Sequence, residues 1–183
     1  EVASMHLFEK EKSSETIYKG RIFTVTKDIV QLEDNTQADR EVVHHNGGVC
    51  VIPITDDNCI LMVKQFRYPM HEAILEIPAG KLELNENHHD AGKRELLEET
   101  GNECSEYTFL GKIYPTPAYV TENIYMYLAK GLTYKGQHLD SDEFLDVVKV
   151  PMDKAMEMVM NGEIKDSKTQ IGVLKAYYLQ KNS

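Results

Sequence analysis

Residues 80–101 carry the pattern that the rest of the chain must accommodate. They run Gly80-Lys81-Leu82-Glu83-Leu84-Asn85-Glu86, then seven residues, then Arg94-Glu95-Leu96-Leu97-Glu98-Glu99-Thr100-Gly101. The second half reads as one short helix. Ala91, Leu96 and Leu97 supply its apolar contacts, and Gly101 is placed to end it in the left-handed conformation. Glu95 and Glu99 lie four residues apart and Glu98 three from Glu95, so all three carboxylates share one side of the helix. Like charges at this spacing repel, and acids near a helix C-terminus oppose the helix dipole, each by roughly 0.3–1 kcal/mol. Pairing of Arg94 with Glu98 across one turn would suit a solvated amphipathic helix. A hard divalent cation would reverse both penalties, because it takes carboxylate oxygens and completes its shell with water and phosphate.

The chain has 183 residues, 42% of them hydrophobic, which is enough for one good core and a small extra subdomain. A net charge of −10 with no basic patch argues against a nucleic-acid partner. An acidic protein binds a phosphorylated small molecule when cations screen its carboxylates. Cys50, Cys59 and Cys104 are widely spaced and odd in number, as expected of buried free thiols in a reducing cytoplasm. The chain holds no apolar signal core, and no run approaches the ~18 apolar residues of a membrane span, so no membrane partner is expected. Met5 is a candidate start, which would make Glu1 to Ser4 a cloning remnant.

Residues 15–46 read as antiparallel strands, with a turn at Glu33-Asp34-Asn35-Thr36. After Gly47-Gly48, Val49 to Ile54 and Ile60 to Phe66 read as a hairpin around Asp56-Asp57-Asn58. Ile74 to Ile77 is a short strand stopped by Pro78. Thr108 to Tyr114, Asn123 to Lys130 and Phe144 to Pro151 read as three more strands. Two helices finish the chain. Asp153 to Asn161 has Met152, Met156 and Met160 as a stripe for the core or an oligomer interface, and a helix capped by Asp166 has Ile171, Leu174 and Tyr178 on one face. His44-His45 and His88-His89 are expected on the surface, the first pair because neighbouring strand residues point to opposite faces and the second because it opens the helix that bears the carboxylates.

The pattern Gly80-x5-Glu86-x7-Arg94-Glu95-Leu96-x-Glu98-Glu99-x-Gly101 resembles the Nudix box at every polar and glycine position, with Asn102 departing from the final aliphatic one. The resemblance implies an α+β fold, the Nudix α/β/α sandwich with a mixed sheet, over residues 46–183. A small antiparallel β subdomain over residues 1–45 precedes it. Val63-Lys64-Gln65-Phe66-Arg67, Leu75-Glu76-Ile77-Pro78-Ala79-Gly80 and Leu139-Asp140-Ser141-Asp142-Glu143-Phe144 are similar to the bacterial ADP-ribose pyrophosphatase branch. Pro117, 15 positions after Asn102, sits where that branch has a proline. There the chain reads Thr116-Pro117-Ala118 without the usual glycine, and Glu122 follows.

The branch implies hydrolysis of a nucleoside diphosphate sugar, ADP-ribose first, with other such sugars or a non-catalytic ADP-ribose sensor as rivals. It implies two or three Mg²⁺ ions, with Mn²⁺ as the alternative, held by Glu95, Glu99, Glu98 and the Ala79 carbonyl. Arg94 would orient a box carboxylate and Glu86 would anchor the loop. A general base would come from the late acidic loop, Glu143 first, then Asp142 and Asp140. Arg67 suits a phosphate clamp, since its guanidinium matches phosphate with two parallel hydrogen bonds. Glu76 would contact ribose or metal-bound water. Phe23, Arg21 and Arg40 would contact adenine or ribose from the N-terminal subdomain, which in this branch supports a homodimer.

Overall fold

The computed structural model describes residues 7–141 and 143–182. Asp142, one of the expected late-loop acids, and the segment Glu1 to Ser4 lie outside them. Two compact units divide the chain. The first runs to Gly47 and takes in Thr116–Glu122, and the second comprises Gly48–Pro115 and the residues from Asn123 on.

In the first unit, β1 (Lys10–Lys19), β2 (Phe23–Gln31) and β3 (Gln37–His45) form an antiparallel sheet in the order β1-β2-β3. The turn between β2 and β3 forms at Asn35, whose φ of 66° an asparagine tolerates. Asp34 accepts the Thr36 N–H at 3.0 Å. Thr26, Asp28 and Val30 alternate as the buried side of β2, whereas every residue of β1 is exposed. Thr116–Glu122, which the sequence boundary at 45/46 assigns to the second domain, joins this unit at β3. Val43 N–H donates to the Tyr119 carbonyl at 2.8 Å, and Thr121 N–H donates to the Val43 carbonyl at 2.9 Å.

The second unit contains β4 (Gly48–Pro53), β5 (Cys59–Arg67), β6 (Glu72–Glu76), β7 (Ala79–Lys81), α1 (His88–Thr100), β8 (Asn102–Ile113), β9 (Ile124–Tyr134), β10 (Leu145–Pro151), α2 (Met152–Met160) and α3 (Ser167–Lys181). A mixed sheet has the order β7-β4-β9-β8, with β4 and β9 parallel, and an antiparallel sheet has the order β10-β5-β6. β4 is buried at all its residues, and its side chains alternate between two layers. Val51 packs with Leu96 of α1 and Ala129. Cys50 and Ile52 join Val173 and Ala176 of α3 in the main core. The arrangement is the α+β sandwich expected from the sequence.

Three local expectations are corrected. β4 and β5 do not form a hairpin ladder. β4 is already flanked by β7 and β9, so only the single bridge Ile54–Ile60 joins the two runs, and β5 pairs in the other sheet. In α2 the core face is Met152, Ala155 and Val159, while Met160 is exposed, because a four-residue repeat drifts around a helix of 3.6 residues per turn. In α3 the buried face is Lys168, Thr169, Gly172, Val173 and Ala176, with Leu174 and Tyr178 turned outward. Gly172 decides this orientation. A Cβ there would lie 3.0 Å from side-chain atoms of both Ile52 and Ile77, so the helix approaches the sheet through its smallest residues.

His88 and His89 also differ from surface residues. His88 stacks on Tyr125 with centroids 3.8 Å apart and shares a 2.7 Å hydrogen bond with the Tyr127 hydroxyl. His89 sits edge-on to Tyr107 at 5.1 Å. They open α1 against a row of sheet aromatics, which explains their partial burial. Among the described residues no helix is long and apolar enough to cross a membrane.

Candidate active site

The site assembles where α1 crosses the short strand β7. Asn87 caps α1 by accepting the His89 N–H at 2.9 Å, and Gly101 ends the helix with φ 73°. Between these caps, Glu95 and Glu99 face the interior and are buried. Glu95 rests on Gly80, where a Cβ would stand 1.8 Å from its Oε1. Only glycine permits that approach. Glu99 Oε2 accepts the Ala79 N–H at 3.0 Å. The segment before the box and the acids within it are thereby locked together.

Arg94 balances part of this charge. Its Nη1 lies 2.8 Å from Glu95 and 2.7 Å from Glu98, and its Nε donates to Glu86 at 3.1 Å. Glu86 also accepts the Glu83 N–H at 2.9 Å, fixing the loop before α1. Burial works against the charge of Arg94, but Glu95, Glu98 and Glu86 outweigh it and hold the guanidinium protonated. Asn102, where an aliphatic residue was expected, is buried and satisfied. Its amide donates to the Thr100 carbonyl at 2.8 Å.

One guanidinium does not neutralise three acids. Burial pushes the Glu95 carboxyl up to about 7, partly offset by Arg94 and reinforced by Glu98 and Glu143. Glu99 is pushed up to about 8, chiefly by burial, against the pull of the Ala79 N–H and with further push from Glu95 and Glu143. Glu143 thus acts electrostatically on both buried acids. Its N–H closes a turn onto the Asp140 carbonyl at 3.0 Å, and Asp140 is exposed.

The late loop reaches the site through contacts that the sequence did not announce. Gln137 Nε2 donates to the Glu99 carbonyl at 2.6 Å, His138 N–H to the Glu98 carbonyl at 3.0 Å, and Lys135 N–H to the Gly101 carbonyl at 2.7 Å. These donors satisfy carbonyls that the end of every helix leaves without partners. That requirement is the signal that could have pointed to residues 135–138.

Arg67 and Glu76 form a pair. Arg67 Nε and Nη2 donate to the two carboxylate oxygens of Glu76 at 2.6 and 2.9 Å, and Lys168 holds Glu76 as well. Arg67 also acts electrostatically on Glu99. Arg21, Phe23 and Arg40 belong to the first unit. There Arg40 Nε donates to Glu9 at 2.9 Å, and Phe23, partly exposed, lies 5.7 Å from the Tyr18 ring. Glu122, in the same unit, lies 3.6 Å from His45.

Among the described residues no three acids, thiols or imidazoles are gathered closely enough to hold an ion as they stand. The donor set nevertheless suits a hard divalent cation. Glu95, Glu98 and Glu99 present only oxygen, two of them are buried, and their mutual repulsion lacks a full counter-charge.

A model of the NUDIX domain matches residues 44–169, and one of the nucleoside diphosphate sugar hydrolase N-terminal domain matches residues 9–43. The chain is 42% identical over 174 residues to the methanol dehydrogenase activator of Bacillus methanolicus, covering 94% of this chain and 92% of that protein. It is 37% identical over 176 residues to the ADP-ribose pyrophosphatase of Bacillus subtilis (strain 168), covering 95% and 94%. The crystal structure of an ADP compounds hydrolase has the same fold, with a TM-score of 0.85 over 95% of each chain at 22% identity. Matched along most of its length by a catalytic domain and by the N-terminal domain that accompanies it in sugar-nucleotide hydrolases, the chain belongs to the Nudix hydrolase family.

Proposed function

We propose that this enzyme hydrolyses the pyrophosphate bond of ADP-ribose to AMP and ribose 5-phosphate, using Mg²⁺, as a homodimer in the cytoplasm. The observation that carries the substrate is the 37% identity, along both chains, to an ADP-ribose pyrophosphatase. The intact set of Glu95, Glu98 and Glu99 supports turnover over a sensor role, since a sensor has no use for that stored repulsion.

Glu95, Glu99 and Glu98, with the Ala79 carbonyl, would hold two or three ions. When bound, these would neutralise the diphosphate, polarise phosphorus and make water a nucleophile near neutral pH. The chain's own residues do the positioning. Arg94 keeps Glu95 and Glu98 oriented, the Ala79 N–H keeps Glu99 in place, and Glu86 secures the loop between β7 and α1. Glu143, on the loop tied to the end of α1, takes the proton of the attacking water as the bridging P–O bond breaks. The dimer reading is supported by β1, all of whose residues, Ile17 and Tyr18 among them, are exposed in the single chain.

Product analysis on a panel of nucleoside diphosphate sugars, with Mg²⁺ and with chelator, tests the proposal. AMP and ribose 5-phosphate from ADP-ribose in the Mg²⁺ arm alone is the expected result. Faster turnover of another sugar nucleotide would replace the substrate, and binding without turnover would favour a sensor. A second reading, activation of a dehydrogenase, rests on the 42% relative. It is tested by adding the chain to a methanol dehydrogenase assay.

A further inference from the structure

The buried end of α3 holds charges that the proposed chemistry does not use. Lys168 is buried, unusual for a lysine. Its Nζ contacts Glu76 Oε2 and lies 2.9 Å from Asp166 Oδ1. Asp166 caps α3 through its other oxygen, accepting the Thr169 N–H at 2.9 Å and the Thr169 hydroxyl at 2.5 Å. Thr169 Oγ1 in turn accepts the Ile77 N–H at 2.9 Å. The start of α3 is thus fastened to the strand end that continues into Pro78 and Ala79, where Glu99 is held.

Glu76 is therefore shared. Its side chain is 2% exposed and takes two cations, Lys168 and Arg67. The two cations differ in what surrounds them. Lys168 is enclosed and bound to a second acid, whereas the Arg67 side chain is 40% exposed and acts electrostatically on Glu99 at the catalytic carboxylates. Burial alone would push the Glu76 carboxyl up, but Arg67 and Lys168 outweigh it and hold it below the usual carboxylate range. If Arg67 were the sole partner of Glu76, its departure would strand a buried carboxylate, and the pair would be locked. With Lys168 in place, Glu76 keeps a partner when Arg67 leaves.

We propose that Lys168 is a positioning residue for substrate binding: by holding Glu76 on its own, it frees the exposed Arg67 fork to transfer from Glu76 to the diphosphate of the sugar nucleotide. This rests on the hydrolase reading above. Lys168 touches no substrate and acts through Arg67.

The test measures KM and kcat for ADP-ribose with Mg²⁺, and separately Kd for ADP-ribose by calorimetry in chelator. Lys168→Met should raise KM and Kd about tenfold or more while kcat changes little, the pattern of lost binding rather than lost transition-state stabilisation. Lys168→Arg should recover most of that loss. In an Arg67→Ala background, Lys168→Met should raise KM no further, since residues acting through one another are not additive. If Lys168→Met does not fold, the comparison is Glu76→Gln against Glu76→Gln/Lys168→Met. The two should share one KM, because a neutral side chain at position 76 leaves Lys168 no charge to hold. Unchanged KM in Lys168→Met, an equal rise in the Arg67→Ala background, or a higher KM in the double variant overturns the proposal. A wild type that binds ADP-ribose without cleaving it overturns the function and leaves the Kd comparison to decide the role of Lys168. A wild type that does not bind it overturns both.

Discussion

Replacing Glu99 with glutamine should make the metal-free protein more stable, and the gain should grow with pH. Glu99 is 3% exposed, and its carboxyl is raised from 4.5 to about 8, chiefly by burial, with Glu95 and Glu143 adding to the push. A raised folded-state value means that the native protein binds more protons than the unfolded chain between these two values. Stability from the protonated group is fully present below about 4.5 and is lost as pH rises through about 8. Each unit is worth about 1.4 kcal/mol, so ionising this group costs the fold on the order of 4–5 kcal/mol at pH 8.5 and about 1 kcal/mol or less at pH 5. Glutamine has the shape of the protonated acid at every pH, and its carbonyl can still accept the Ala79 N–H. Urea denaturation in chelator at pH 5 and pH 8.5 reads the difference directly. Saturating Mg²⁺ should then reverse the order at pH 8.5, because an ion bound to the native state stabilises it by mass action and the variant binds it less. A metal-free Glu99→Gln less stable than wild type at pH 8.5, or a difference independent of pH, would refute the account of a buried, uncompensated acid.

Three further outcomes are expected. Glu143→Gln should lower kcat by about 10²–10⁴ with little change in metal affinity by calorimetry, the mark of lost proton transfer, and Asp140→Asn should cost less; a full-rate Glu143→Gln would move the base elsewhere. Gly80→Ala should reduce turnover by at least about 10²-fold by driving a methyl group into Glu95, and wild-type kinetics in that variant would show that Glu95 has room to move without consequence. Removing residues 1–45 should leave a monomer by light scattering with weakened substrate binding, whereas a monomer with unchanged KM would separate the N-terminal sheet from the site.

The layout of the candidate site along α1 was legible in the sequence because it is local. Glu95, Glu98 and Glu99 share a helix face through spacing alone, Arg94 reaches Glu98 across one turn, and Gly101 ends the helix as a residue free to adopt positive φ. The strand ends marked by Pro78 and the turn at Asn35 also follow from residue type. The partners of those residues across the fold were not legible. Nothing in the pattern of Val49 to Ile54 tells that β4 is a central strand with both edges taken, so the hairpin with β5 read well and did not form. Size misled in α3, where Leu174 and Tyr178 promised a core face. The close approach at Gly172 instead buries the small residues, and a charged one, Lys168. Sequence determined which carboxylates share one side of α1, since helical periodicity acts over a few residues. Tertiary structure alone decided how buried those acids are, which loop is tied to them through Gln137 and His138, and that Arg67 shares Glu76 with a lysine about a hundred residues away, because burial and long-range pairing depend on which surfaces meet.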